Sequence, residues 1–536
     1  MKTLNRISQQ QYAGFPRITS SHQRRQIARS SGKMACLAAF TALLIAAFAP
    51  SAMASSPPPS HYDATPESLA QHPIPDWWAN DKFGIMIHWG VFSVPAYATR
   101  GADEFTLPPQ CTGLAEWYWF VQQIPLCNAS IYHLAKYGPL KTYDNFIPQF
   151  NPTRFNPDSW IRQFKRTGAK YFVLIAKHHD GFALWCSRTT HRDSCEMGPR
   201  RDLVSSLFSA AHRAGDAVKP GVYYSIPEWF NPAPRPDNAT DGSGASGVGG
   251  GLLPLAFKSI VPPRNAYTQL PVKYTGYQAI ADYAAGQVIP QMKELIKNYR
   301  PSLMWCDIGG NESYYKSNTM IADYYNASMT YHPEGVAVND RCGDTTTHGD
   351  YTTIEEGKGN ATVPFETLEA FGVSQGYNAE ETEGDYKTST TMIADLVNSI
   401  AKGGNYLLGI GPKADGTIPP MMATRMDDIG AWMAINGESV YNTHTGGLPA
   451  EGDLRFTAGN DGSYYITALA WPGSTLTVNS PVPLQPGQTI KLLGSTSGPL
   501  DYTRTADQLI ITTPEGGDQA AATTSKSAFV FKVSGP

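Results

Sequence analysis

Five short apolar runs in this chain stop on residues that can do chemistry. One ends at His88-Trp89, the next at Lys177-His178-His179-Asp180, and others at Ser225, at Asp307 and at Asn339-Asp340-Arg341. Imidazoles and carboxylates gathered in this way can move protons, attack carbon or hold a metal ion. One strand ending in a histidine is ordinarily a satisfied core residue; five reactive endings are not explained that way. A metal-dependent barrel hydrolase would draw a His-x-His pair from its first strand, whereas His88 is followed by Trp89 and Gly90. The pattern favours acid–base and nucleophilic chemistry.

The elements that must position these residues alternate. Pro157 to Thr167 reads as a helix, capped by Asn156 and stopped by Gly168, and leads to the apolar run Tyr171 to Ala176. Asp202 to Ala214 leads to Gly221-Val222-Tyr223-Tyr224, and Tyr277 to Tyr299 to Leu303-Met304-Trp305. Ser317 to Met329 leads to Val336-Ala337-Val338, and Met392 to Ala401 to Tyr406-Leu407-Leu408. Helix followed by strand, repeated, predicts parallel β/α units, and in a (β/α)8 barrel the chemistry sits at the carboxyl ends of the strands. Asp241 to Gly251 is mostly Gly and Ser and reads as a surface insertion in a βα loop; no strand feeds it and no Lys follows, so no phosphate is cradled there.

After about Gly446 the helical pattern ends. Tyr464 to Ala470, Ile490 to Leu493, Leu509 to Thr512 and Ala528 to Val533 are short runs separated by Gly, Pro, Asp and Ser. They predict a β-sandwich. The expected fold class is α/β plus all-β: residues 55–445 a TIM-type (β/α)8-like barrel, residues 446–536 a carboxyl-terminal β-sandwich, and residues 1–54 a secretory signal segment.

That segment is legible from charge. It holds seven Lys or Arg and no Asp or Glu, so the 536-residue chain has a net charge of −4 but the remainder, with 35 basic against 46 acidic residues, has −11. Arg24, Arg25, Arg29 and Lys33 precede an apolar run from Ala35 to Ala49, then Ala52-Met53-Ala54, which predicts cleavage after Ala54. The run is shorter than the roughly 20 residues of a membrane span. A secreted, extracellular protein with no membrane anchor after signal removal is expected. An acidic surface repels phosphate backbones, which argues against nucleic acid and for a neutral substrate. Hydrophobic residues at 41% and charged ones at 16% exclude global disorder, and the length excludes a small disulfide scaffold.

Export permits disulfides and N-glycosylation. Cys111 with Cys127 and Cys186 with Cys195 are close enough in sequence to pair, while the state of Cys306 and Cys342 is left open. Sequons stand at Asn128, Asn238, Asn311, Asn326 and Asn360.

Several blocks carry a resemblance. Phe83 to Gly90, Glu116-Trp117-Tyr118, Ala169 to Trp185, Trp305-Cys306-Asp307, Val338 to Arg341, and Gly403-Gly404-Asn405 to Gly416-Thr417-Ile418-Pro419 resemble the signature blocks of the α-L-fucosidases of glycoside hydrolase family 29. The resemblance spans nearly all of residues 75 to 442. It implies retaining hydrolysis of α-L-fucosides without metal or other cofactor, with a fucosylated glycan or oligosaccharide as partner. Such chemistry needs one ionised carboxylate as nucleophile and one protonated carboxyl as acid, roughly 5 to 5.5 Å apart.

Asp307 matches the family nucleophile. The block after the Asn-Asp-Arg strand selects Glu366 as acid/base, in Pro364-Phe365-Glu366 where the family commonly has Trp-Glu; Glu355, Glu356 and Glu369 stand close enough to compete. The acid needs a pKa raised by burial or by the charge of Asp307. His88, Glu116, Trp117, His178, His179 and Arg341 match sugar-binding positions. Trp305 and Tyr223 are expected to pack on the ring or its methyl group, with Tyr224 one register away. A fucose-binding protein without catalysis would be expected to lose its nucleophile, and Asp307 is present. Linkage preference is expected in the insertions Arg100 to Cys127 and Pro232 to Pro271. Oligomeric state has no readable signal.

Overall fold

The structure, a computed structural model, describes residues 59–103, 106, 110–236, 262–344, 347–355, 364–514 and 527–534. The expected signal segment, the Gly/Ser stretch Asp241 to Gly251, Glu356, Asn238 and Asn360 lie outside them.

Eight strands build the larger sheet: β1 (Phe83–Ile87), β2 (Tyr171–Lys177), β3 (Lys219–Ser225), β4 (Leu303–Asp307), β5 (Ala337–Val338), β6 (Thr352–Glu355), β7 (Phe365–Ala370) and β8 (Asn405–Ile410). Their spatial order is β5-β4-β3-β2-β1-β8-β7-β6, every neighbouring pair parallel. A parallel bridge between Asn339 and Tyr351 joins the two edges and closes the sheet into a barrel. Strands β1, β2, β4 and β8 are buried along their whole length, as strands covered on both faces must be.

The helices between them start where the side chains dictate. Asn156 accepts from Ser159 N ahead of α1 (Pro157–Thr167), and Gly168, at φ 94°, ends it. Asp202 caps α2 (Leu203–Arg213) through Ser205 N. The stretch expected as one helix from Tyr277 is helical only from Ala284. Asp282 accepts from Ala285 N and opens a π turn, Ala284–Val288, which runs into α3 (Ile289–Tyr299). Pro290 has no amide proton for the residue four positions back, so a regular α-helix does not extend through it. Then follow α4 (Ser317–Ser328), α5 (Ser389–Ala401) and α6 (Pro420–Asn436). The last had no expectation attached: it packs against α1, and Trp432 Nε1 donates to Ala528 O of the carboxyl-terminal sheets, so it is buried on two sides and lacks a single apolar stripe.

Two packed layers matter for the site. Inside the barrel, Met86, Val173, Ile175, Leu303, Trp305, Leu368 and Leu407 fill the lumen, and Trp77 and Trp78 close its amino end against Tyr171 and Tyr351. After α6 the chain forms a five-stranded antiparallel sheet, from β9 (Thr443–Thr445) onward, and a three-stranded one, around Phe456, Ile466, Val478, Ile511 and Phe531.

Disulfides join Cys111 to Cys127 and Cys186 to Cys195, and a third joins Cys306 to Cys342. Among the sequons, Asn128 opens a helix (Asn128–Tyr137) and Asn311 caps a helical turn through Tyr314 N. Asn326 is different: its Nδ2, the atom a glycan would occupy, donates to Tyr62 O at 2.8 Å while its Oδ1 accepts from Tyr62 N. A glycan at Asn326 would have to share the nitrogen of this clasp, which would keep a single N–H.

Candidate active site

Asp307 is the last residue of β4, and three side chains converge on its carboxylate. The Tyr223 hydroxyl donates to Oδ2 at 2.6 Å, Arg341 Nη1 donates to Oδ1 at 3.3 Å, and His179 Nε2 stands 3.6 Å from Oδ2. In the β3–β4 ladder Tyr223 lies opposite Trp305 and Ser225 opposite Asp307, so the period of two puts Tyr223 on the inner face below the carboxylate. Tyr224 points outward to Lys177 and Gln291, which settles the one-residue ambiguity at this pair. Tyr223 does more than offer an apolar surface. Burial, and then the charge of Asp307, push its phenol well above the ordinary range, so it remains a proton donor to the carboxylate.

Arg341 connects this carboxylate to a second one. Its Nη1 also meets Glu355 Oε2 at 3.0 Å, while Nε donates to Thr353 Oγ1 at 2.6 Å. The Thr353 hydroxyl in turn donates to Asp340 Oδ1 at 2.8 Å. Trp305 lies under the guanidinium, 5.0 Å from ring centroid to carbon, and stacks on Tyr223. Burial opposes the guanidinium charge, and the Glu355 and Asp307 carboxylates more than offset it. Both contacts, at 3.3 and 3.0 Å, run to the same nitrogen, so these two carboxylate oxygens can be no farther apart than the two distances together. Glu355 ends β6 at the same carboxyl face where Asp307 ends β4.

Glu366 is elsewhere. It pairs in register with Asn405, the first residue of β8, and Tyr171, the first residue of β2, donates to its Oε2 at 2.5 Å. Trp305 Nε1 donates to Oε1 at 3.2 Å, and the residue is 1% exposed. Burial raises its pKa to about 7, as an acid would need, yet the carboxyl is sealed toward the amino end of the barrel with Trp305 between it and Arg341. Both of its oxygens are engaged by Tyr171 and Trp305, away from the Asp307–Arg341 contact. Glu369 faces the opposite side of β7 and pairs with Lys387. Glu366, expected as acid/base, thus lies across Trp305 from Arg341.

Around the two carboxylates the expected sugar-binding residues come together. Ring contacts link His88 to His178, His178 to Tyr223, and His179 to both Trp117 and Trp229. Burial pushes His88 and His179 down to about 3 and His178 well below its ordinary value, so all three rings are neutral at any working pH. Ser225 Oγ gives its one proton to Pro227 O at 2.7 Å, so its 2.6 Å bond to His179 runs from Nδ1–H. Neutral His179 thus turns a lone pair on Nε2 toward the Asp307 side of the site, a tautomer assigned from the hydrogen-bond network. Glu116 accepts from Gly376 N at 2.8 Å and Ser374 Oγ at 3.3 Å, which holds that loop beside Phe92 and His178.

Four buried polar atoms in this cluster, His88 Nδ1, His178 Nδ1, Trp229 Nε1 and Arg341 Nη2, make no hydrogen bond among the described residues. Buried polar groups are nearly always bonded, so such a cluster suits a ligand rich in hydroxyls. Trp229 escaped the sequence reading, although it lies four residues past the end of β3 in the loop that a barrel would aim at the site.

The family model described as alpha-L-fucosidase matches residues 49–438. The chain belongs to the α-L-fucosidase family. The tissue α-L-fucosidase of Rattus norvegicus is 31% identical over 486 residues, 88% of this chain and 93% of that one. The plasma α-L-fucosidase of Homo sapiens is 31% identical over 449 residues, 81% and 85% of the two chains. A Thermotoga maritima α-fucosidase solved in complex with fucose superposes with a TM-score of 0.69 at 30% identity, covering 88% of this chain and all of that one. The enzyme is accordingly a glycoside hydrolase that hydrolyses α-L-fucosides, and its substrates are fucosylated glycans.

Proposed function

We propose that the enzyme works by retaining double displacement, with Asp307 as nucleophile and Glu355 as acid/base. The observation that carries this reading is the shared Arg341 nitrogen, which holds both carboxylates at the carboxyl ends of their strands. Asp307 Oδ attacks the anomeric carbon as the glycosidic C–O bond breaks, and Glu355, protonated at this step, gives its proton to the departing oxygen. Glu355 then takes a proton from water, whose oxygen displaces Asp307 and releases L-fucose with its α configuration. Tyr223 and Arg341 orient the Asp307 carboxylate. His88, His178, His179, Trp229 and Arg341 offer donors and acceptors to the pyranose hydroxyls, Trp117 offers an apolar face, and Trp305 closes the floor. Glu116 contributes by fixing the 374–376 loop. The positively charged, apolar amino terminus and three disulfides support secretion to an oxidising compartment, and the acidic balance supports a neutral glycan over nucleic acid.

The two roles separate with azide. Asp307→Ala is expected to lower kcat on an aryl α-L-fucoside by several orders of magnitude, roughly 10³-fold or more, and azide should restore turnover as the β-fucosyl azide. Glu355→Ala should keep most of its kcat/KM on a dinitrophenyl fucoside, whose leaving group needs no proton, lose much more on a poor leaving group, and yield the α-fucosyl azide. A Glu355→Ala variant with unchanged turnover on poor leaving groups would contradict the assignment.

A further inference from the structure

We propose that the Cys306–Cys342 disulfide is a positioning element for hydrolysis, which sets the nucleophile strand against the arginine strand. The inference rests on the assignment of Asp307 as nucleophile with Arg341 as its partner.

The barrel sheet has a gap beside the end of β4. On its β3 side, β4 is laddered all the way to Asp307, which lies opposite Ser225. On its β5 side the pairing stops early: Leu303 pairs with Ala337 and Met304 with Val338, and β5 has no further residue. Asp307 and Arg341 each lie three residues past that last pair, where no backbone ladder fixes their separation. Two other links replace it. The Asn339 side chain imitates a strand, accepting from Cys306 N at 2.8 Å and donating to Cys306 O at 2.9 Å. One residue outward, the disulfide joins Cys306, next to Asp307, to Cys342, next to Arg341, with the Cα atoms 4.8 Å apart. Beyond it Gly309 packs on the Gly343 backbone so closely that a Cβ has no room.

Both cysteines are buried, at 0% and 1% exposure, and they flank the two residues whose separation sets the Arg341 contacts to Asp307 and Glu355. The other two bridges differ in kind. They close loops of 16 and 9 residues, whereas this one spans 36 and ties one barrel strand end to the next. A fastener of the fold would alter stability alone; a positioning element alters turnover, because a misplacement of about 1 Å costs on the order of 10²-fold in rate.

The test compares three proteins in an aryl α-L-fucoside assay run well below each unfolding temperature. Cys306→Ala with Cys342→Ala is expected to lower kcat roughly 10- to 100-fold with KM changed less than about threefold. Cys186→Ala with Cys195→Ala should lower the unfolding temperature and leave kcat within about twofold. If the alanine pair does not fold, Cys306→Ser with Cys342→Ser keeps the side-chain volume and should show the same loss of kcat. Wild-type kcat in a folded variant overturns the inference, and so does failure of both pairs to fold, since the bridge would then serve the fold. Failure of the underlying assignment looks different: Asp307→Ala would keep its turnover whatever the cysteine variants do.

Discussion

Arg341 Nη1 sits between two carboxylates, and a third, Glu366, carries a raised pKa on the far side of Trp305. Glu366 is raised from an ordinary 4.5 to about 7 by burial, and no catalytic duty is needed to account for that shift. The shift instead has a stability signature. Between pH 4.5 and 7 the folded state holds a proton that the unfolded state has released, so this contribution is fully present below about 4.5 and lost as pH rises through about 7. Glu366→Gln, which mimics the protonated form, should raise the unfolding temperature relative to wild type at pH 8 and change it little at pH 4.5, with kcat largely kept. A variant that loses turnover by several orders of magnitude while staying folded would return Glu366 to the mechanism.

At the scale of elements, strand ends carried most of what the sequence could say. His88, His178, His179, Asp307 and Arg341 were legible because each closes an apolar run, and the structure brings all five together. Glu355 had the same mark, ending Thr352-Thr353-Ile354, but that run is short and half polar and does not announce a strand. The position of Glu366 was less legible, because alternation identifies which face of β7 a residue occupies and says nothing of which end of the barrel it reaches. The disulfide at Cys306 was illegible because it depends on how β4 and β5 stop pairing.

Element geometry also makes a prediction at Thr353, two residues before Glu355 on β6. Its hydroxyl relays Asp340 to Arg341, and Thr353→Val keeps the shape while leaving the Arg341 Nε and the Asp340 carboxylate without that shared partner. Far-UV circular dichroism should be unchanged and kcat/KM should fall roughly 10- to 100-fold, in line with about 1.5 to 3 kcal/mol for a hydrogen bond to a charged group. An unchanged kcat/KM would mean that Trp305 and the carboxylates alone hold the guanidinium.

Across the whole molecule, the barrel supplies every site residue assigned here, and the carboxyl-terminal sheets reach it through α6, where Trp432 bonds Ala528 and where Tyr465 and Val530 join the barrel-side core. Among the described residues no helix is long and apolar enough to cross a membrane. The central claim is that two carboxylates on one arginine perform two successive displacements at one carbon. It is tested most directly by a proton NMR time course on an aryl α-L-fucoside, following which anomer of fucose forms before mutarotation. The account predicts α-L-fucose first; β-L-fucose first would mean a single displacement by water and would contradict the assignment of Asp307 as nucleophile.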